Sequence, residues 1–182
     1  MKIAITGHSR GIGKSLFDML SVDHECQGFS RSNGFDINKN QDLIIRAVIN
    51  HDVFINNAYS THAQLDLLNL IWEHWSKDDS KTIVNISSMS KYPGISSNHT
   101  GYSAHKAALS HQAFLLMFKN PERRCRMINV NPGYVRTDMV SHISDTVGML
   151  TPTECAEAIT WAINQPQHIE IGELGIWRTT DK

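Results

Sequence analysis

Short apolar runs alternate along this chain with longer segments whose apolar residues recur every three or four positions. The runs at about 2–6, 24–29, 52–56, 81–87, 125–130 and 168–172 have strand length. The intervening periodicity predicts helices at about 12–21, 40–50, 62–76, 102–119 and 152–164, the last opening on Thr151-Pro152-Thr153-Glu154, a capping box with proline in the first turn. Strand and helix in strict turn predict an α/β fold, a doubly wound parallel sheet covered by helices. The rhythm breaks after the second strand. No helix fits between Ser30 and Phe35, so a third strand at Phe35–Ile37 would leave that edge of the sheet short or irregular.

Two helices are apolar on more than one face. The helix at 62–76 carries Leu65, Leu68, Trp72 and Trp75 on one side, widened by Leu67, Leu70 and Ile71, and the helix at 102–119 has an unbroken apolar run from Ala113 to Phe118. Such helices are covered on two sides, either within the core or by a second copy in a homodimer or homotetramer.

Composition narrows the class. A chain of 182 residues is most simply one domain over 1–182, and its formal charge of −1 leaves no basic surplus for nucleic acid. The apolar runs are too short to span a membrane, and a core strand at residues 1–5 leaves no room for a signal peptide. Three scattered cysteines, Cys26, Cys125 and Cys155, read as reduced thiols of a cytoplasmic protein. Ten histidines raise the question of a metal. His99, His105 and His111 lie near one another, but ligand spacing is missing, so no metal site is expected.

The chemistry begins in the first turn, Ala4-Ile5-Thr6-Gly7-His8-Ser9-Arg10-Gly11-Ile12-Gly13-Lys14-Ser15. A strand, a glycine loop and a helix start aim backbone N–H groups and the positive end of a helix dipole at one spot, which suits a phosphate. Gly13-Lys14-Ser15 would end a P-loop, but the first glycine of that motif would have to stand where His8 is. The spacing Thr6-Gly7-x-x-x-Gly11-x-Gly13 fits a dinucleotide loop without slippage, and Phe54-Ile55-Asn56 offers no acidic residue for an NTPase.

Further polar groups fall at the ends of later strands, on the edge where open parallel sheets bind ligands. They are Asn56-Asn57-Ala58, then Ser87-Ser88, then Tyr102-Ser103-Ala104-His105-Lys106 at a helix start, then Asn131-Pro132-Gly133-Tyr134-Val135-Arg136-Thr137. Tyr102 and Lys106 share a helix face. An ammonium beside a phenol lowers the phenol pKa, so Tyr102 is expected to exchange a proton near neutral pH, with Ser88 bonding a carbonyl oxygen beside it.

Taken together, these segments resemble the short-chain dehydrogenases/reductases in a compact form, over positions 6 to 137 and in the family's order. The resemblance implies an NAD(P)-binding Rossmann fold with Ser88, Tyr102 and Lys106 as the catalytic group. It also implies cofactor contacts at Gly7, Ser9, Arg10, Gly11, Ile12 and Gly13, and at Asp36 and Ile37 beside adenine. Asn57 and Ala58 would lie on the adenosine side. Pro132, Gly133, Val135 and Thr137 would lie near the nicotinamide, whose ribose Tyr102 and Lys106 would approach.

Charge selects the cofactor. The end of the second strand reads Phe29-Ser30-Arg31-Ser32, without the carboxylate that bonds ribose hydroxyls in an NAD site, so Arg31 and Arg10 are expected to hold the 2′-phosphate of NADP. Two places depart from the family pattern. No asparagine stands at Ser60–Gln64, where a fourth catalytic residue would fall, so His62, Gln64 or a shifted Asn69 takes its place, or turnover is slow. The segment Asp138–Leu150 is a short lid, with Met139, Val140, His142, Ile143 and Met149 as candidate substrate contacts. The expected function is an NADP-dependent carbonyl–alcohol oxidoreductase acting on a small molecule. The rival is an NADP-binding sensor with little catalysis.

Overall fold

The computed structural model describes residues 1–93, 100–144 and 148–179. Strands β1 (Lys2–Thr6), β2 (Glu25–Phe29), β3 (Val53–Asn56), β4 (Thr82–Ile86), β5 (Arg126–Pro132) and β6 (Glu173–Ile176) form one parallel sheet in the order β2-β1-β3-β4-β5-β6. Helices α1 (Gly11–Leu20), α2 (Gln41–Val48), α3 (Ala63–Trp75), α4 (Thr100–Phe118) and α5 (Pro152–Ile163) connect them.

The period of two along each strand divides the core into two layers. Ile3, Ile5, Ile55, Val84 and Ile128 pack with Leu16 and Leu20 of α1 and Cys155 and Ile159 of α5. Ala4, Phe54, Ile83 and Met127 face the other way, onto Ile44 of α2, Leu67, Leu68 and Ile71 of α3, and Leu109 and Ala113 of α4. The strand order reverses between β1 and β3, so the ends of those strands open a cleft beside the first loop.

Two expectations are corrected. Residues 35–37 form no strand, because local turns take the backbone bonds a ladder would use: Phe35 N donates to Ser30 O at 2.8 Å, and Asp36 O accepts from Lys39 N and Asn40 N at 2.9 and 2.8 Å. Asp36 Oδ1 accepts from Asn38 N at 2.9 Å, and Asp36 N donates to Asn40 Oδ1 at 3.0 Å. The last strand is Glu173–Ile176, not 168–172. The earlier stretch is held by side chains instead: Glu170 Oε1 accepts from Met127 N at 3.2 Å, and Glu170 Oε2 pairs with Arg123 at 3.0 Å.

Candidate active site

The first loop is built by two closures. Buried Thr6 donates its hydroxyl to Ile55 O at 3.3 Å and accepts from the backbone N of Asn57 and Ala58 at 2.9 and 3.0 Å. The Asn57 amide donates back to Thr6 O at 2.9 Å. The ends of β1 and β3 are therefore tied side by side. Gly7 has φ +71°, and a Cβ at Gly13 would lie 2.2 Å from Gly7 O, so a side chain fits at neither place. The His8 ring lies against the backbone of Gly28, where an added Cβ would be 2.1 Å from its Cγ.

Helix α1 begins at Gly11 with no side-chain cap at Arg10 and no acidic residue in its first turn. Its first N–H groups are open donors, and such a terminus fits the pyrophosphate of a dinucleotide. Ser9 and Arg10 are exposed at its mouth, Ile12 is half-buried, and Arg10 lies 4.0 Å from Asp138. Thr137 stands across from Gly11, whose added Cβ would meet Thr137 Cγ2 at 3.1 Å.

Arg31 is exposed at the start of a 3₁₀ turn after β2, braced by the Ser30–Asn33 capping box. Bonds from Asn38, first its backbone and then its side chain, hold the Asp36 carboxyl below its ordinary range. Asn38 also reaches Ser60 Oγ at 2.9 Å, tying this turn to the loop after β3. The Ile37 side chain is buried in the core cluster with Phe29 and Ile44. Pro132 ends β5, Gly133 N donates to Ile176 O at 2.8 Å, and buried Val135 bridges to Leu150.

Ser88, Tyr102 and Lys106 come together at the ends of β4 and β5. Ser88 Oγ accepts from Ser90 N at 3.1 Å and Ser90 Oγ at 2.9 Å, and donates to Pro132 O at 3.5 Å. Tyr102 is half-buried. Burial pushes its pKa up, the nearby Ser88 hydroxyl pulls it down, and the neighbouring Tyr59 adds to the rise. The net direction is upward, which corrects the expected fall. Lys106 Nζ stands 5.6 Å from the Tyr102 ring centroid and is itself held down, to about 7, by burial.

The Lys106 ammonium is 3% exposed and donates to Gln64 Oε1 and to Ile86 O, each at 2.7 Å. Gln64 therefore stands at the lysine, whereas Asn69 is engaged elsewhere, accepting from Gln112 at 2.8 Å. Two residues, Tyr59 and His105, were given no role at this site by the sequence reading. The Tyr59 ring packs edge-on against Tyr102 at 4.8 Å and lies 5.2 Å from Lys106 Nζ, and its hydroxyl shares a 3.0 Å hydrogen bond with His105 Nδ1. The His105 ring meets the exposed His62 at 4.6 Å. The available signal was position: Tyr59 follows Asn57-Ala58, and His105 is three residues after Tyr102 on the same helix.

In the lid, Met139 is exposed and Met149 buried. Residues 145–147 of that segment, and His99 of the histidine group, lie outside the described residues. Among the described residues no helix is long and apolar enough to cross a membrane, and no group of three His, Cys, Asp or Glu gathers as metal ligands.

A parallel sheet of this order, with a glycine loop between β1 and α1, is a Rossmann-type α/β fold. The short chain dehydrogenase family profile matches residues 45–148, and the chain belongs to that family. Uncharacterized oxidoreductases of Staphylococcus aureus strains USA300 and NCTC 8325 are each 28% identical over 95 residues, covering 52% of this chain and 41% of each relative. This chain thus matches less than half the length of those relatives. The 3-alpha-hydroxysteroid dehydrogenase of Pseudomonas sp. B-0831, solved with NADH, superposes with a TM-score of 0.77 at 19% identity, over 97% of this chain and 95% of its own. A 3-ketoacyl-(acyl-carrier-protein) reductase of Brucella melitensis, also with NADH, gives 0.78 at 18% identity over 96% of both chains. A serine dehydrogenase with NADP+ gives 0.75 at 17% identity, over 97% of this chain and 94% of its own. At these identities the likeness shows the fold.

Proposed function

We propose that this protein is an NADP(H)-dependent oxidoreductase interconverting a carbonyl and an alcohol on a small molecule. The observation that carries the reading is the convergence of Ser88, Tyr102 and Lys106 on the same sheet edge as an uncapped helix terminus. Arg31 and Arg10 near that terminus, with no carboxylate at the end of β2, favour the 2′-phosphate of NADP over a free ribose hydroxyl.

A bound nicotinamide supplies or accepts the hydride. The chain's own residues handle the rest. Ser88 holds the substrate oxygen, Tyr102 gives that oxygen a proton or takes one, and Lys106, whose own charge changes around neutrality, stands 5.6 Å from the Tyr102 ring as the neighbouring cation. Ser88 is prepared for this, because its oxygen is fixed by Ser90. The outer sides of α3 and α4, where Leu65, Leu70, Trp72 and Phe114 are partly buried and Phe118 is 76% exposed, are the surface through which a homodimer or homotetramer would form.

Tyr102→Phe should cut turnover by about 10²–10⁴ in an NADPH-oxidation assay across a carbonyl panel, while NADPH affinity stays nearly unchanged. Undiminished turnover would refute the mechanism. Arg31→Asp should weaken NADPH binding, measured by fluorescence titration, much more than NADH binding; equal losses would remove NADP from the reading. The sensor reading draws on the Tyr59 ring over Lys106. It predicts tight NADPH binding with no turnover on any carbonyl.

A further inference from the structure

Lys106 has three N–H bonds, and two are spent on oxygens of its own surroundings, Gln64 Oε1 and Ile86 O. Gln64 is 2% exposed and has no freedom to turn. Its Nε2 donates to Asn56 O at 2.6 Å and to Ile86 O at 3.0 Å, the ends of β3 and β4, and its backbone carbonyl accepts from Asn56 Nδ2 at 2.8 Å. Flipping the amide would set its NH₂ against an ammonium and its oxygen against two carbonyls, so the surroundings impose one orientation.

We infer that Gln64 is a positioning residue for the reaction proposed above: it fixes the Lys106 ammonium and supplies the one side-chain acceptor that stabilises its charge. This role rests on the functional reading, because Lys106 matters to turnover only if the Ser–Tyr–Lys group is catalytic. The groups facing the ammonium are Gln64 from α3, Ile86 O from β4, the Tyr59 ring from the loop after β3 and the Tyr102 ring from α4, with His105 and then His62 behind Tyr59. No carboxylate is among them. Burial alone already lowers Lys106 to about 7, so the loss or gain of one acceptor falls in an observable range. Gln64 carries no titratable proton and both its amide hydrogens are engaged. It therefore closes the lysine toward the sheet instead of passing a proton onward.

The test is a lysine ¹³Cε NMR titration of the full chain, which reads Lys106 whether or not the protein turns over. Gln64→Glu keeps the size and sets one carboxylate oxygen at the ammonium, while the other replaces Nε2 before Asn56 O and Ile86 O. It should move the Lys106 titration upward by about 1–3 pH units. Gln64→Leu removes the acceptor and should move it downward. Should Gln64→Leu fail to fold, Gln64→Met takes its place. A merely structural glutamine predicts another pattern: loosening admits water, and both variants shift upward. That result, or titrations that coincide with the unsubstituted protein, overturns the inference. In turnover assays the alkaline limb should follow the lysine, rising for Gln64→Glu and falling for Gln64→Leu. A limb that stays in place while the lysine shifts breaks the link to catalysis. NADPH oxidation missing from the unsubstituted protein, with the titration behaving as described, would sink the functional reading alone.

Discussion

Two lysines lie close in this fold and are treated in opposite ways. Lys91, whose side chain is 8% exposed, is paired with the Glu173 carboxylate. Glu173 also accepts from Tyr92 at 3.1 Å and from Asn131 at 2.6 Å, which ties the turn after β4 to β6. Burial pushes the Glu173 carboxyl up, but its bonds and the Lys91 charge outweigh that and hold it below its ordinary range. Lys106 is buried as deeply and has only neutral oxygens for partners. A counter-ion makes the first lysine a fastener. Its absence leaves the second with a pKa near 7, able to change charge around neutrality. Desolvated charge without a partner destabilises a fold, and such groups concentrate where chemistry is done.

The largest expected effect comes from breaking Lys106, the member proposed to act in turnover. Lys106→Met should lower turnover by about 10²-fold or more. Its stability should also carry a pH signature. Folded Lys106 titrates at about 7 and the unfolded chain at 10.5, so between those values the unfolded chain holds a proton the folded one lacks. Stability of the unsubstituted protein therefore rises with pH across that window. The Tm of Lys106→Met relative to it should fall steadily from pH 7 to pH 10, and a flat difference would contradict a buried ammonium without a counter-ion.

Lys91→Met is the converse. It strands the Glu173 carboxylate and should destabilise in urea, approaching the about 3–5 kcal/mol of a broken buried pair, less because Glu173 keeps some exposure. That loss should fade as acid protonates Glu173, and turnover per folded molecule should change little. The smallest effect sharpens the boundary of the site. Asn69→Ala loses one hydrogen bond to Gln112 and should cost about 1 kcal/mol, leaving the pH profile of turnover in place.

Much of this was legible in order along the chain. The glycine loop and the Tyr102–Lys106 pair are local patterns, readable because a strand end and a helix face set their geometry. The partners of Lys106 were legible only in part, because they arise where α3 and β4 meet. The count back from Ser88 left Gln64 as one of three candidates without choosing it, and no spacing in the sequence announces Ile86 O as the second acceptor. The same limit hid the edge strands. Nothing in Phe35-Asp36-Ile37 shows that Asn38 and Asn40 will take its backbone and carboxylate bonds. Nothing in His168–Gly172 shows that Glu170 will brace β5 as a loop residue.

The imidazole seated on Gly28 carries a last consequence, for how this loop is able to evolve. His8 occupies the volume that a side chain at position 28 would need, so the two positions form a lock in sequence space. A lineage that gains a side chain at 28 must first shrink residue 8, and one that shrinks residue 8 opens a void beside the phosphate cradle. Coordinated change at these two places, one in the loop and one in the second strand, is the expected trace of this packing in an alignment of relatives.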